Sequence, residues 1–281
     1  MSHSKPSWGL VLSGGTACGF ANIGVLEVLE ENNLKPDYIA GSSMGAVVAS
    51  LYALGFSAKK IHKIAIGIPL NKLAKISKKP FKDGLHGGLL RQGIQDYLEP
   101  FLGNKTIGDC TIPFVCVAGK IREPVSWIKI LESGFHDYIR GCVTPYIFGK
   151  NVPIADAIMA SSAMPIIFSP IQIEKSQYVD MIVFGSIPAR SLHKTYHPDI
   201  LIATDTNQAM DDTMQLLPKG WSDFLREGLR EQSKSKEICD LIIKPELPYP
   251  QYRFDKAEEF IQAGRTATIP LIPSILKLIN I

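Results

Sequence analysis

Twice within its first 54 residues, the chain runs from a short apolar segment into a glycine-containing loop and then into a helical pattern. Residues 8–12 precede the loop 13–15, and residues 38–40 precede the loop 41–45. After each loop, apolar residues recur at the spacing of one helix face. Two successive units of strand, loop and helix are typical of a parallel β-sheet that is covered by helices. The sequence therefore predicts an α/β fold.

The rest of the chain extends this pattern without an evident division into domains. With 281 residues, 46% of them apolar, the chain would bury about three quarters of its unfolded surface on folding. We expect a single domain over residues 1–281, with the functional motifs in residues 7–210 and a helical region over 211–281. The other predicted elements are strands at 114–118, 200–204 and 241–243, a hairpin over 171–180, and helices over 221–238 and from Asp255 onward.

The charge balance and the cysteine content exclude several classes of protein. Thirty Lys and Arg residues against 27 Asp and Glu leave a net charge of +3, too small for a general nucleic-acid binder. The five cysteines form neither a disulfide framework nor a Cys-x-x-Cys metal motif. The chain opens without the apolar core of a signal peptide and contains no run of 18 apolar residues. We expect a soluble, cytoplasmic protein that requires no metal, cofactor or nucleic-acid partner.

Residues 41–45 match the Gly-x-Ser-x-Gly pattern in the context that gives this pattern a mechanism. A buried strand precedes them and a helix rich in Ala and Val follows, so Ser43 stands at the apex of a sharp turn. Larger side chains at positions 41 and 45 would collide with this turn. Ser43 would point out of the sheet at a helix N-terminus, where the helix dipole favours negative charge. A strand-to-helix turn without catalytic function is the alternative interpretation.

The first glycine loop supplies hydrogen-bond donors that a serine nucleophile needs. Attack on an ester creates an oxyanion, which such donors must stabilise. The loop over residues 13–19 follows a neighbouring strand and opens a helix, so its free N–H groups would face the same edge as Ser43. Binding of a phosphate or a dinucleotide is the alternative. Against it, the loop has neither the Gly-x-Gly-x-x-Gly order nor a Gly-Lys-Ser/Thr ending.

A serine nucleophile also requires a base that accepts its proton. None of the six histidines lies in a segment that the sequence connects with Ser43, and the pair His193 and His197 lacks further metal ligands. Asp180 ends a predicted hairpin among apolar neighbours, where burial would raise its pKa and make it a better proton acceptor. Asp205, which follows another predicted strand, is the competing carboxylate.

Taken together, these segments resemble the patatin-like phospholipase family. That family typically has a Gly-Gly-Gly-x-Arg-Gly loop, a Gly-x-Ser-x-Gly elbow and a later Asp-Gly-Gly or Asp-Gly-Ala that contains the catalytic aspartate. The resemblance extends over about residues 7–270. The similar segments in this chain are residues 12–20, 39–47, 160–168, 178–180 and 254–259.

The resemblance implies a three-layer α/β/α fold with a mostly parallel central sheet that acts on acyl esters of lipids. It implies a catalytic dyad of Ser43 and Asp180, with the N–H groups of Gly14, Gly15 and Thr16 as the oxyanion hole. The expected activity is that of a phospholipase A, a lysophospholipase or an esterase, without a metal or a cofactor. The pattern selects neither an acyl-chain length nor a head group.

Three departures from the family pattern bear on activity. Thr16 replaces the third glycine, Cys18 stands at the position of the arginine, and Met181-Ile182 replace the glycines after the aspartate. A β-branched residue is disfavoured at positive φ, and loss of the arginine removes a charge near the oxyanion. The alternative function is therefore a catalytically weak or inactive lipid-binding or regulatory homologue. Cys18 suggests either a reactive thiol at a helix N-terminus or a small side chain packed under the loop.

The segment from Lys59 to Lys82 contains eight lysines and no acidic residue. Its apolar residues have helical spacing, which indicates basic amphipathic helices that Pro69 interrupts. Such a face could rest on an anionic membrane, each lysine near the surface contributing about 1 kcal/mol. Two interpretations are open: peripheral contact with an anionic membrane, or a solvated lysine face over an ordinarily packed helix.

Overall fold

A mixed β-sheet, mostly parallel at its centre, organises the chain in a computed structural model. The structure describes residues 5–69, 74–76, 90–92, 94–122, 141–164, 168–207, 228 and 230–280. The strands are β1 (Trp8–Leu12), β2 (Tyr38–Gly41), β3 (Ala74–Ile76), β4 (Leu90–Gln92), β5 (Phe114–Ile121), β6 (Val143–Ile147), β7 (Ile171–Ile173), β8 (Ser176–Val179), β9 (Ile200–Thr204) and β10 (Leu241–Ile243). Eight of them form the central sheet, and β3 and β4 form a separate hairpin.

The order of strands in the central sheet is β10-β9-β1-β2-β5-β8-β7, and β6 pairs with β5. Parallel pairs join β10 to β9, β9 to β1, β1 to β2, and β2 to β5. The far end of β5 pairs in antiparallel fashion with β6 and β8, and β8 pairs with β7. Because parallel strands end at the same edge, the loops that follow β1, β2 and β9 meet there.

Helices cover both faces of this sheet. They are α1 (Ala21–Glu31), α2 (Met44–Ala53), α3 (Ala58–Ile66), α4 (Ile94–Leu102), α5 (Ile154–Ser161), α6 (Ala189–Tyr196), α7 (Ala257–Thr268) and α8 (Ile272–Leu278). Short 3₁₀ helices lie at Thr16–Phe20, Ile107–Asp109, Met181–Phe184, Phe254–Lys256 and Ile269–Leu271. Within the described ranges, no helix combines the length and apolar character that crossing a bilayer requires.

The alternation of side chains along the strands produces two separate cores. Leu10 and Leu12 of β1 belong to the larger core, which contains apolar residues of α1, α2, α3, α4, α5 and α7. Val11, between them, belongs to the second core, where Leu192 of α6 packs. Successive side chains of a strand point to opposite faces, so a continuously apolar strand is buried on both sides. The predicted α/β class, with helices on both faces of a mostly parallel sheet, is confirmed.

Most of the predicted elements are confirmed, with shifted ends. The strands predicted at 200–204 and 241–243 have these bounds, whereas β5 extends to Ile121. The last predicted helix begins at Ala257, because a 3₁₀ turn precedes it. Of the predicted helix over 221–238, residues 230–236 are helical and 221–227 lie outside the described residues.

A set of ion pairs connects α3 and α7 with α1. His62 of α3 contacts Glu27 of α1 through Nδ1 and Glu258 of α7 through Nε2, each at 2.8 Å. Arg265 of α7 donates to Glu27 and makes a two-pronged contact with Glu31. Partial burial opposes protonation of His62, but the two carboxylates outweigh it and raise the pKa of the imidazole. The positively charged ring therefore holds three helices together at mildly acidic pH.

Candidate active site

Ser43 occupies a strained elbow between β2 and α2. Its φ of 51° and ψ of −129° are rarely adopted by a residue with a side chain and cost about 1–3 kcal/mol. A Cβ at Gly41 would lie 2.5 Å from the Gly45 carbonyl oxygen, and one at Gly45 would overlap the Leu12 carbonyl. The backbone N–H of Ser43 donates to Oγ of Ser161 on α5 at 2.9 Å. Two glycines and a cross-helix hydrogen bond thus maintain the turn.

The Asp180 carboxyl accepts a hydrogen bond from the Ser43 hydroxyl. Asp180 is 3% exposed and follows β8, and its Oδ1 accepts the Ile182 N–H at 3.0 Å. Burial raises the pKa of Asp180 to about 7, although the hydrogen bonds from Ser43, Ile182 and Met181 act in the opposite direction. The structure thus brings together the two residues that the sequence nominated as nucleophile and base.

The first glycine loop lies against the elbow. A Cβ added to Gly14 would lie 2.9 Å from the Ser43 Cβ, which leaves no room for a larger residue. The N–H of Gly14 donates to the Ser186 carbonyl at 3.0 Å, and that of Ala17 donates to the Gln251 carbonyl at 2.9 Å. Among the described residues, the N–H groups of Gly15 and Thr16 between them have no acceptor.

A buried polar network at the end of β9 forms hydrogen bonds with this loop. Thr206 donates through Oγ1 to the Gly14 carbonyl at 2.8 Å, and its N–H donates to the Ser13 hydroxyl at 2.9 Å. Asn22 of α1 donates to the Ser13 carbonyl at 3.0 Å and accepts the Thr204 hydroxyl at 2.6 Å. All five residues are nearly inaccessible to solvent, so their hydrogen bonds are costly to break.

Asp205, the competing carboxylate, is engaged elsewhere. Oδ2 forms an ion pair with Lys236, and Oδ1 accepts the Gln232 side-chain amide at 2.9 Å. Gln232 in turn accepts the hydroxyl of Ser186, whose carbonyl holds Gly14. Asp205 therefore belongs to the structural support of the glycine loop, and Asp180 is the carboxylate that contacts Ser43.

The structure shows the local setting of the three departures from the family pattern. Thr16 adopts φ 53°, the left-handed conformation that is disfavoured for a β-branched side chain. Cys18 is fully buried and burial raises the pKa of its thiol to about 12, which favours the packed interpretation over the reactive one. Met181 and Ile182 hold the Asp180 carboxylate through backbone N–H groups, an interaction that does not depend on their side chains.

The histidines and cysteines form no further site in the described part of the chain. His193 and His197 contact each other with ring centroids 5.5 Å apart, and both are exposed. No group of three His, Cys, Asp or Glu residues is arranged to hold a metal within the described ranges.

Sequence reasoning missed three supporting residues: Ser161, Ser186 and Gln251. Ser161 lies in the segment 160–168 that resembles the family, but nothing in the sequence connects its hydroxyl with the elbow. Ser186 and Gln251 act through backbone carbonyls, which carry no side-chain signal at all.

Comparison with known proteins identifies the family of the chain. The sequence model of the patatin-like phospholipase family matches residues 10–193, more than half of the chain. The chain belongs to this family. The crystal structure of VipD from Legionella pneumophila has the same fold, with a TM-score of 0.53 and 14% identity, covering 97% of this chain and 68% of VipD.

Relatives by sequence include both small and large proteins. An uncharacterized protein of Bacillus subtilis, YqhO, is 27% identical over 190 residues, which cover 63% of this chain and 62% of YqhO. An uncharacterized NTE family protein of Mycobacterium tuberculosis, Rv1063c, is 27% identical over 210 residues, 73% of this chain and 50% of the relative. Lysophospholipase NTE1 of Kluyveromyces lactis is 41% identical over 155 residues, 53% of this chain and 10% of NTE1. The chain thus matches less than two thirds of the length of each.

Replacement of Ser161 by Ala tests the hydrogen bond that holds the elbow. The Ser43 N–H would lose its acceptor, which costs about 1–3 kcal/mol when the group stays shielded from water. We expect urea denaturation to show a decrease of this size in the free energy of unfolding.

The neighbouring variant Ser162→Ala is the matched control. The Ser162 hydroxyl is buried and has no hydrogen-bond partner among the described residues, so its removal should leave stability near that of the parent. Equal stability of both variants would contradict a specific role of Ser161.

Proposed function

We propose that the chain hydrolyses acyl esters of lipids, with Ser43 as nucleophile and Asp180 as general base. The observation that carries the proposal is the hydrogen bond from the Ser43 hydroxyl to a buried carboxyl, beside a loop whose Gly15 and Thr16 N–H groups have no acceptor among the described residues. Membership of the patatin-like phospholipase family and the similarity to lysophospholipase NTE1 support a lipid ester as substrate.

In the first half of the proposed reaction, Ser43 Oγ attacks the carbonyl carbon while its proton passes to Asp180. The carbonyl oxygen becomes an oxyanion, which the N–H groups of Gly15 and Thr16 receive. When this intermediate collapses, the ester C–O bond breaks and Asp180 returns the proton to the departing alcohol. An acyl ester of Ser43 remains.

In the second half, Asp180 takes a proton from a water molecule that attacks the acyl ester. The same N–H groups receive the second oxyanion, and collapse releases the fatty acid and returns the proton to Ser43 Oγ. Asp180 suits both halves, because a group with a pKa near neutrality is able to accept and return protons at pH 7.

The proposed oxyanion hole contains two backbone donors, whereas the sequence predicts three. Gly14 was expected to donate together with Gly15 and Thr16, but its N–H is bonded to the Ser186 carbonyl. We therefore assign Gly14 a steric role, since its missing side chain makes room for Ser43. Each remaining donor is worth about 100- to 1000-fold in turnover, by analogy with other acyl-transfer sites.

Covalent labelling with a fluorophosphonate probe tests the assignment of the nucleophile. Ser43→Ala should abolish labelling and hydrolysis of a short-chain nitrophenyl ester, because the attacking hydroxyl is gone. Ser42→Ala is the control, since the Ser42 hydroxyl is fully buried and without a partner in the described structure. Equal labelling of the parent and Ser43→Ala would reject the proposal.

The pH profile of kcat/KM tests the base. Asp180 must be ionised to accept a proton, so activity should rise with pH through an apparent pKa of about 7 and fall toward acid. Asp180→Asn should remove turnover. It should not lower the melting temperature at pH 8, where the parent carries the cost of a buried charge. Undiminished turnover in this variant would move the base to another residue.

A catalytically inactive lipid-binding homologue is the second candidate, favoured by the strained Thr16 and by Cys18 at the family's arginine position. It predicts binding to vesicles of anionic lipid without probe labelling.

Membrane contact, for an active or an inactive protein, would use the segment from Lys59 to Lys82. Lys59 and Lys60 of α3 are exposed, while Ile61 on the same helix is buried in the core. Residues 70–73 and 77–82 of the segment lie outside the described residues.

Sedimentation with phosphatidylglycerol vesicles at low and high salt measures this contact. The double variant Lys59→Gln, Lys60→Gln should bind less than the parent at low salt, and the difference should shrink at high salt because salt screens exposed charges. Binding that depends on neither salt nor anionic lipid would exclude membrane docking through these lysines.

A further inference from the structure

A segment far from the catalytic motifs in sequence lies directly on the glycine loop. Residues 249–254, called the strap below, come more than 50 residues after the family match ends at residue 193. The strap contacts the 3₁₀ turn Thr16–Phe20 at three points. The Ala17 N–H donates to the Gln251 carbonyl at 2.9 Å, Cys18 Sγ lies 4.0 Å from the Tyr249 carbonyl oxygen, and the Phe254 ring meets Phe20 edge-to-face with centroids 6.0 Å apart.

The first of these contacts decides which N–H groups of the loop stay unpaired. The first residues of a helical turn have N–H groups without intrahelical acceptors. On one side, the Ser186 carbonyl takes the N–H of Gly14; on the other, the Gln251 carbonyl takes that of Ala17. Gly15 and Thr16 lie between these two bonds, so the bonds restrain the backbone that carries their N–H groups.

The strap is itself attached to the rest of the fold. The Tyr249 ring packs edge-to-face on Phe260 of α7, and Arg253 and Lys256 lie over the same ring at 5.5 and 5.0 Å from its centroid. Helix α7 follows the strap and crosses α1 so closely that a Cβ on Gly264 would overlap the Ala21 carbonyl. Because α1 continues directly from the 3₁₀ turn, the strap and the loop are held in one packed unit.

This loop has a particular need for external support. Thr16 adopts a left-handed conformation that a glycine would adopt without steric cost, and a β-branched residue leaves that conformation readily when its neighbours are not held. Cys18 is packed beneath the strap at the position where the family has an arginine. Both departures occur in the stretch that the strap contacts.

We propose that the strap is a positioning element of the oxyanion hole, so that turnover depends on residues beyond the range 10–193 that the family model matches. Gln251 acts through its carbonyl and Phe254 through its ring, and neither touches the substrate. The inference rests on the proposed function. It adds that the strap sets the geometry of the Gly15 and Thr16 N–H groups.

Phe254→Ala tests this proposal, with Phe56→Ala as the matched control. Both rings are half-buried and pack edge-to-face on one phenylalanine, but the partner of Phe56 is Phe101, on α4. We expect Phe254→Ala to lower kcat for the nitrophenyl ester at least about tenfold with little change in KM, because the oxyanion forms only in the transition state. Phe56→Ala should retain the parent's kcat. Phe254→Tyr, which keeps the ring contact, should retain most of the kcat that Phe254→Ala loses.

Hydrogen exchange of the Ala17 amide provides a readout that a general loss of stability would not reproduce. It should speed up in Phe254→Ala more than the exchange of amides in β1, and stay slow in Phe56→Ala. Should Phe254→Ala fail to fold by circular dichroism, Phe254→Leu, which keeps apolar bulk without the ring edge, is measured in the same way.

The outcomes separate the two proposals. Unchanged kcat and Ala17 exchange in a folded Phe254 variant would overturn the role of the strap, as would a rise in KM with constant kcat. If Ser43→Ala hydrolyses the ester as well as the parent does, the proposed function fails, whatever the strap variants show. A fall in kcat together with an unchanged midpoint in the pH profile of kcat/KM supports the positioning role of the strap, because the base would then be intact.

Discussion

The buried carboxyl of Asp180 against the Ser43 hydroxyl is the interaction on which the site depends. A carboxylate in water has little tendency to accept a proton at neutral pH, and burial removes that limitation by destabilising the charged form. The same burial has a cost, which the fold offsets with the backbone N–H groups of Met181 and Ile182. In the proposed mechanism, Asp180 would serve Ser43 as a base in place of a histidine, with a pKa near neutrality.

Around this pair, the fold distributes backbone N–H groups among structural and functional partners. The Ser43 N–H is bonded to Ser161, that of Gly14 to Ser186 and that of Ala17 to Gln251. Among the described residues, the N–H groups of Gly15 and Thr16 are left without an acceptor. Two backbone donors that lack an acceptor in the described structure and lie beside Ser43 are suited to receive a charged ligand or intermediate. The polar network of Thr204 and Thr206 stabilises this arrangement from the end of β9.

The parts of the fold with a strong local pattern could be predicted from the sequence. β1 and β9 are predominantly apolar and are buried at every position, as expected for strands covered on both faces, and the hairpin of β7 and β8 follows from its alternation. Element ends were less predictable. β5 continues to Ile121 because β6 and β8 pair with it there, an interaction between segments that the local pattern of β5 does not contain.

At the level of the site, the sequence alone determined the nucleophile and the base as candidates, because the Gly-x-Ser-x-Gly turn and an aspartate among apolar residues have local signatures. It favoured Asp180 over Asp205 because Asp180 has apolar neighbours, but both follow strands, and the local sequence could not fix the choice. The tertiary structure made that choice by pairing Asp205 with Lys236 and leaving Asp180 to Ser43. It also decided which N–H groups of the glycine loop are unpaired, because their acceptors are backbone carbonyls of Ser186 and Gln251, which any residue type would provide.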